Sequence, residues 1–127
     1  MENRQKFFVC KHCGNLIGLI FNKGVPLVCC GENMQELVPN TVDASQEKHV
    51  PVIKISGDTV TIDIGSVAHP MTDEHHIEWV YIETEKGGQR KTIYPGELPS
   101  VKFSLADDKL VAAFAYCNLH GLWSAKV

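Results

Sequence analysis

Beyond residue 48 the chain alternates apolar and polar positions with a period of two. Val60-Thr61-Ile62-Asp63-Ile64 and Val101-Lys102-Phe103-Ser104-Leu105 each set every second side chain on one face, the pattern of a strand buried on one side. Runs at 52–55, 77–83, 89–94, 110–117 and 122–127 supply five weaker strand candidates. Turn chemistry falls between them: Ser56-Gly57-Asp58, Lys86-Gly87-Gly88, and Asp107-Asp108 ahead of another run. No long amphipathic helical period interrupts this series. About seven short strands of this kind predict an all-β chain built on an immunoglobulin-like β-sandwich.

The first 37 residues read differently. They hold four of the five cysteines, and a segment below roughly 40 residues needs a metal, disulfides or a partner chain to fold. Cys10-Lys11-His12-Cys13-Gly14 is a metal knuckle, with Gly14 free to take the backbone conformation that such a turn demands. Its partner pair, Cys29-Cys30, is adjacent, which strains the sulfur–metal–sulfur angle away from the tetrahedral value. A bridge within that vicinal pair would itself be strained, so a metal is favoured over disulfides. A structural zinc ion is the plainer alternative for these four thiols, and His12 reads as a surface residue of the knuckle. Residues 38–48 are polar, lack a sustained apolar period and read as a linker to the sandwich, which is expected over 49–127.

Composition narrows the partners. The chain is 44% hydrophobic and 21% charged, with net charge −3 and no basic run of the kind that follows nucleic-acid backbones. Nucleic acid and membrane are excluded as expected partners. The opening residues are polar, and the apolar stretch 16–21 is broken by Gly18 and too short to span a bilayer. With reduced cysteines expected, the compartment is a reducing cytoplasm. A mildly acidic chain slightly repels small anions, so an anionic substrate requires a local cation; Lys48 is one, although a lysine or glutamate here is equally an ordinary solvated linker residue.

The second candidate site is scattered along the chain: His49, His69-Pro70-Met71, Glu74-His75-His76 and Cys117-Asn118-Leu119-His120-Gly121. Taken singly, a histidine in a sandwich is more often a hydrogen-bonded structural residue than a ligand, and His76, at the start of a strand, reads that way. Together, a soft sulfur donor and borderline nitrogens suit iron, copper or zinc. Asn118, Leu119 and His120 have backbone N–H groups just after Cys117, within reach of its sulfur, and Gly121 permits a tight turn.

In this order, over nearly the whole chain, Cys10-x-x-Cys13 with Cys29-Cys30, Glu47-Lys48-His49-Val50-Pro51, His69-Pro70-Met71 with His75, and Cys117-Asn118-Leu119-His120-Gly121 resemble the desulfoferrodoxins, the two-iron superoxide reductases. The resemblance implies one iron held by Cys10, Cys13, Cys29 and Cys30 in a desulforedoxin-like N-terminal domain. It implies a second iron with His49, His69, His75 and His120 in a plane and Cys117 as axial ligand. The sixth position is then open in the ferrous state, reachable by Glu47 after oxidation and flanked by the charge of Lys48. The implied activity is reduction of superoxide to hydrogen peroxide, fed by a donor such as rubredoxin, in a homodimer. A superoxide dismutase, and an iron- or zinc-binding electron carrier, are the competing functions.

Overall fold

The computed structural model describes residues 5–127, so the polar opening at 1–4 lies outside the described residues. The chain divides into two compact units, one reaching to Val38 and the other running from Pro39 to Val127.

In the smaller unit, β1 (Lys6–Val9), β2 (Leu16–Leu19) and β5 (Gln35–Leu37) form an antiparallel sheet in the order β2-β1-β5. β3 (Val28–Cys29) and β4 (Glu32–Asn33) form a separate short hairpin. Among the described residues of this unit only Phe7 and Cys10 are buried apolar groups. Gly18 stands directly opposite Phe7, and a Cβ there would come within 3.2 Å of the phenyl ring. One aromatic ring over a glycine is too small a core to hold such a segment, so the sulfur cluster must share the task.

The larger unit contains α1 (Gln46–His49), β6 (Pro51–Ser56), β7 (Thr59–Ile64), β8 (Ile77–Thr84), β9 (Gly87–Thr92), β10 (Ser100–Ser104), β11 (Leu110–Cys117) and β12 (Gly121–Lys126). Two antiparallel sheets, β10-β7-β6 and β12-β11-β8-β9, give the seven strands of an immunoglobulin-like sandwich. The alternation read in β7 and β10 is the observed burial: Val60, Ile62, Ile64, Val101 and Phe103 enter the core, joined by Val80, Ile82, Ala113 and Ala115 from the facing sheet. Strands β8 and β11 are central and buried on both faces, which is why their sequences run apolar without alternation. On the face turned away from the core, Trp79 stacks on Tyr116 with planes 5° apart.

Two local expectations change. The turn expected at Lys86-Gly87-Gly88 lies one step earlier, at Glu85-Lys86, and both glycines belong to β9, opposite Thr84 and Glu83. Gly88 is required there because a Cβ would run into the Tyr81 phenol that covers it. The stretch read as linker is also structured. It ends in the helical turn of α1, and Asn40 lies along the β12 edge, donating from its backbone N–H to the Leu122 carbonyl at 3.1 Å and pairing its side-chain amide with both backbone groups of Ser124. A single amide fork can satisfy an open strand edge, and apolar periodicity does not register such a contact. The other sandwich margin is closed by side chains of β9, where Gln89 and Lys91 donate to the Ser104 and Lys102 carbonyls of β10 at 2.8 and 2.7 Å.

The register collects three chain segments at one end of the sandwich. Pro51 pairs with Ile64, and Cys117 pairs with both Ile77 and Gly121. The α1 turn, the 65–76 loop and the 118–120 turn therefore converge. No helix among the described residues is long and apolar enough to cross a membrane.

Candidate metal centres

In the smaller unit the sulfur atoms of Cys10, Cys13, Cys29 and Cys30 lie within 4.8 Å of one another. Cys10 and Cys13 bracket a turn closed by Gly14 N–H on the Cys10 carbonyl at 2.9 Å, with Gly14 at φ 82° as the knuckle requires. The adjacency of Cys29 and Cys30 is accommodated by a two-residue hairpin turn in which Cys30 and Gly31 both have positive φ, 52° and 76°. Cys29 ends a strand and Cys30 occupies the turn, so neighbouring residues deliver both sulfurs to one cluster. The Cys13 N–H donates to the Cys10 sulfur and holds that thiol down to about 6, while hydrogen bonding to Cys13 pushes Cys30 up to about 12. Without a metal, the group thus favours a thiolate at Cys10 over one at Cys29 or Cys30. His12 lies outside the cluster, exposed and 3.0 Å from the Glu32 carboxylate.

At the loop end of the sandwich, ligand atoms of His49, His69, His75 and Cys117 lie within 4.8 Å of one another. His120 falls outside that tight group yet completes its outline, with Nδ1 3.1 Å from His49 Nε2 and 3.9 Å from Cys117 Sγ. The four imidazoles form a closed ring. Successive centroids are 4.6 Å (His49–His69), 4.6 Å (His69–His75), 5.1 Å (His75–His120) and 5.0 Å (His120–His49), against a His49–His75 diagonal of 6.3 Å.

Protonation decides what that ring can hold. His49 Nδ1 lies 2.6 Å from the Ser45 carbonyl and His69 Nδ1 lies 2.7 Å from the Pro70 carbonyl. A carbonyl only accepts, so both Nδ1 atoms carry their protons. Burial lowers the pKa of His49 and takes His69 down to about 4, so both rings are neutral near pH 7. Their Nε2 atoms, 3.2 Å apart, therefore face each other as two acceptors. His75 Nε2 is buried beside them with no hydrogen-bond partner. Two lone pairs and an unpartnered third nitrogen gathered beside a buried sulfur are unfavourable alone and favourable around a cation. The donor set fits a metal.

The sulfur is tuned by its surroundings. Burial pushes the Cys117 thiol up, while backbone hydrogen bonds from Leu119 and His120 pull it down. Asn118 does not join them, because its N–H donates to the His76 carbonyl at 3.2 Å. Gly121, at φ 76°, closes the three-residue turn that returns the chain from Cys117 into β12. His76 is turned away, with Nδ1 2.9 Å from the Thr72 carbonyl.

Glu47 and Lys48 are exposed on α1, immediately before buried His49. The Glu47 backbone N–H chiefly holds its carboxyl below the usual range, helped by Lys48. The charge of Lys48 also contributes to the lowered pKa values of His49 and His75, behind burial as the main cause. The α1 turn is held by the 65–67 loop: the Glu47 carbonyl accepts from Val67 N–H at 2.8 Å and from the Ser66 hydroxyl at 3.2 Å. Two residues of this site escaped the sequence reading. Trp123 stacks on His49, and Gly65 packs backbone to backbone against α1. Alternation along β12 marks Trp123 as inward-facing, which is the available signal; for Gly65 there is none.

Comparison with known proteins agrees with this geometry. The desulfoferrodoxin family model matches residues 41–126. The chain is 41% identical to desulfoferrodoxin of Nitratidesulfovibrio vulgaris, across 99% of both chains. It is 34% identical to the superoxide reductase of Pyrococcus abyssi, over 67% of this chain and 90% of that one. In structure it is similar to the superoxide reductase from Treponema pallidum, with a TM-score of 0.82, 41% identity and coverage of 98% of this chain and 100% of that one. The Giardia intestinalis superoxide reductase aligns with 64% of this chain and 97% of its own, at a TM-score of 0.55 and 36% identity. A likeness that runs the length of the chain at this identity leaves a single assignment: the chain belongs to the desulfoferrodoxin family.

Proposed function

We propose that the chain is a superoxide reductase, which adds one electron and two protons to superoxide to give hydrogen peroxide and evolves no oxygen. His49, His69, His75, His120 and Cys117 would hold the reactive iron, and Cys10, Cys13, Cys29 and Cys30 a second one. The reactive iron supplies the electron and a binding point for a small anion. The observation that carries this reading is the convergence of imidazole nitrogens on a buried thiol.

The chain's own residues set the conditions. The Ser45 and Pro70 carbonyls keep His49 and His69 in the tautomer that offers Nε2. The Leu119 and His120 N–H groups draw charge from the Cys117 sulfur and moderate its donation. Lys48 gives a net-negative chain a local cation for an anionic substrate. Glu47 and Lys48 stand exposed just before His49, and solvent on that side is the proposed source of the two protons.

Turnover consumes electrons, and a small redox protein such as rubredoxin is the proposed donor in a reducing cytoplasm. The proposed assembly is a homodimer, each chain carrying a cysteine-iron domain at 1–37 and a catalytic domain at 49–127. The test is to mix the iron-loaded, reduced protein with superoxide while following iron oxidation, peroxide and dissolved oxygen. One peroxide per superoxide with no oxygen release is expected, from protein with two irons per chain. Oxygen release would make the chain a dismutase, and iron confined to the cysteine cluster would make it an electron carrier.

A further inference from the structure

His75 differs from the other imidazoles in how it is held. His49 is fixed by its Nδ1 bond to Ser45 and by stacking on Trp123, and His69 by its Nδ1 bond to Pro70. No described hydrogen bond fixes the His75 ring, and its Nε2 is buried without a partner. Its position must come from its backbone. On one side that backbone is closed by Thr72, whose N–H and hydroxyl both donate to the His75 carbonyl, at 3.0 and 3.2 Å, and whose hydroxyl oxygen accepts from His75 N–H at 3.1 Å.

The other anchor is Asn118, next to Cys117 in the chain. Its Oδ1 accepts from His76 N–H at 2.9 Å, and its Nδ2 donates to the Glu74 carbonyl at 3.0 Å. Its own N–H donates to the His76 carbonyl at 3.2 Å. One residue therefore grips the chain on both sides of His75, and these partners fix which way the amide points. The same residue follows the thiol of the site, so any shift of the 74–76 segment relative to Cys117 must break at least one of these bonds.

We propose that Asn118 is a positioning residue that sets the distance between the His75 imidazole and the Cys117 sulfur. The inference rests on the reading that these two residues share one iron. Partners of this kind, one step behind the ligands, typically change metal affinity by about 10–100-fold when removed. Asn118→Ala removes both side-chain bonds and keeps the backbone one. Asn118→Asp keeps the acceptor for His76 N–H but loses the donor to Glu74.

A matched control exists in Asn40, whose side-chain amide makes the same paired contacts to the backbone of Ser124 and flanks no ligand. The full chain would be loaded with iron and challenged with a ferrous chelator. The sulfur-to-iron absorption band of the oxidised histidine site would be recorded alongside. In Asn118→Ala, iron at that site should be lost at roughly tenfold or more lower chelator concentration, with a displaced band. Asn118→Asp should fall between it and wild type, and Asn40→Ala should match wild type in both readouts.

Wild-type retention and an unmoved band in Asn118→Ala would overturn the inference. So would an equal loss in Asn40→Ala, which would reduce the effect to general loosening. Should Asn118→Ala fail to fold, Asn118→Asp decides alone: an unchanged band and affinity there overturn the proposal. A wild-type chain that takes no iron at the histidines would remove the reading beneath it, an outcome visible before any variant is measured.

Discussion

Trp123 lies against His49 with ring centroids 4.8 Å apart and planes inclined by 29°, and the same indole donates Nε1–H to the His120 carbonyl at 3.1 Å. One buried side chain thus braces the imidazole at one corner and the backbone at the next. Trp123→Phe keeps a stacking surface and loses the hydrogen bond, for an expected cost of about 0.5–1.5 kcal/mol. Trp123→Ala leaves a cavity and should cost about 3–5 kcal/mol. Urea unfolding with iron counted per chain measures both. Equal stability of the alanine variant and wild type would refute the bracing role.

Gly65 is expected to tolerate no side chain. A Cβ there would lie 2.7 Å from the Glu47 carbonyl oxygen, 3.0 Å from that of Val50 and 3.1 Å from the Lys48 carbonyl carbon. All three are backbone atoms, so no side-chain rotation relieves the clash. Gly65→Ala should destabilise the fold by about 1–3 kcal/mol and displace the turn bearing Glu47, Lys48 and His49. Denaturant melts combined with the superoxide rate read the two effects; a variant normal in both contradicts the close packing.

For Lys48, the expectation concerns encounter rate rather than metal binding. Lys48→Ile should slow the second-order reaction with superoxide by about tenfold, at the low end of electrostatic steering, with iron content unchanged. Lys48→Arg should retain most of the rate. Added salt should slow wild type and affect the isoleucine variant less, since screening removes only an attraction that is present. Pulse radiolysis across a salt series decides, and identical salt slopes for wild type and Lys48→Ile would leave the lysine without this role.

Cys117→Ser should abolish the sulfur-to-iron absorption band of the histidine site and severely impair superoxide reduction, even where iron is retained. The buried sulfur, drawn on by the Leu119 and His120 N–H groups, has no counterpart in a hydroxyl of lower donor strength. Wild-type turnover by the iron-loaded serine variant would contradict this.

The buried imidazoles also give the iron-free protein a pH dependence of definite sign. Burial lowers His69 from 6.5 to about 4, and lowers His49 and His75 too. Between pH 6.5 and about 4 the unfolded chain binds protons that the folded chain does not, so stability rises with pH through this window. The histidine contribution to the melting temperature should be complete above pH 6.5 and be lost as the pH drops toward 4, while the depressed Cys10 thiol adds its own rise with pH above about 6. One fully linked histidine contributes a slope of up to about 1.4 kcal/mol per pH unit, and His69→Gln should make the decline shallower. Stability that increased on acidification across this range would reverse the assignment.

Much of this was legible in the sequence because the physics was local or periodic. Val60, Ile62 and Ile64 announce their strand by alternation, and Cys10-x-x-Cys13 announces its knuckle by spacing. The strands around Lys86 were legible but not their turn, since it takes the Tyr81 ring, folded over Gly88, to explain why that glycine sits inside β9. The segment before His49 looked unstructured because the turn next to the ligand is held by carbonyl contacts to the 65–67 loop, while Asn40 ties only the far end of the segment to β12. Asn118 drew notice only for its N–H beside a sulfur. Its grip on both sides of His75 depends on β8 and β11 being neighbours, which residue spacing does not disclose.

The side chains that close the margin between β9 and β10 also bear on assembly. Open strand edges are where one β-domain can recruit another and grow into ribbons. Here the Lys102 and Ser104 carbonyls are already taken by Lys91 and Gln89 of the same chain, and a charged ammonium occupies the approach. A second copy cannot dock there by lengthening the sheet without first displacing those contacts and stripping water from a cation. Growth of the sheet through this margin is therefore disfavoured, and chains that associate by strand pairing would have to use one of the other edges.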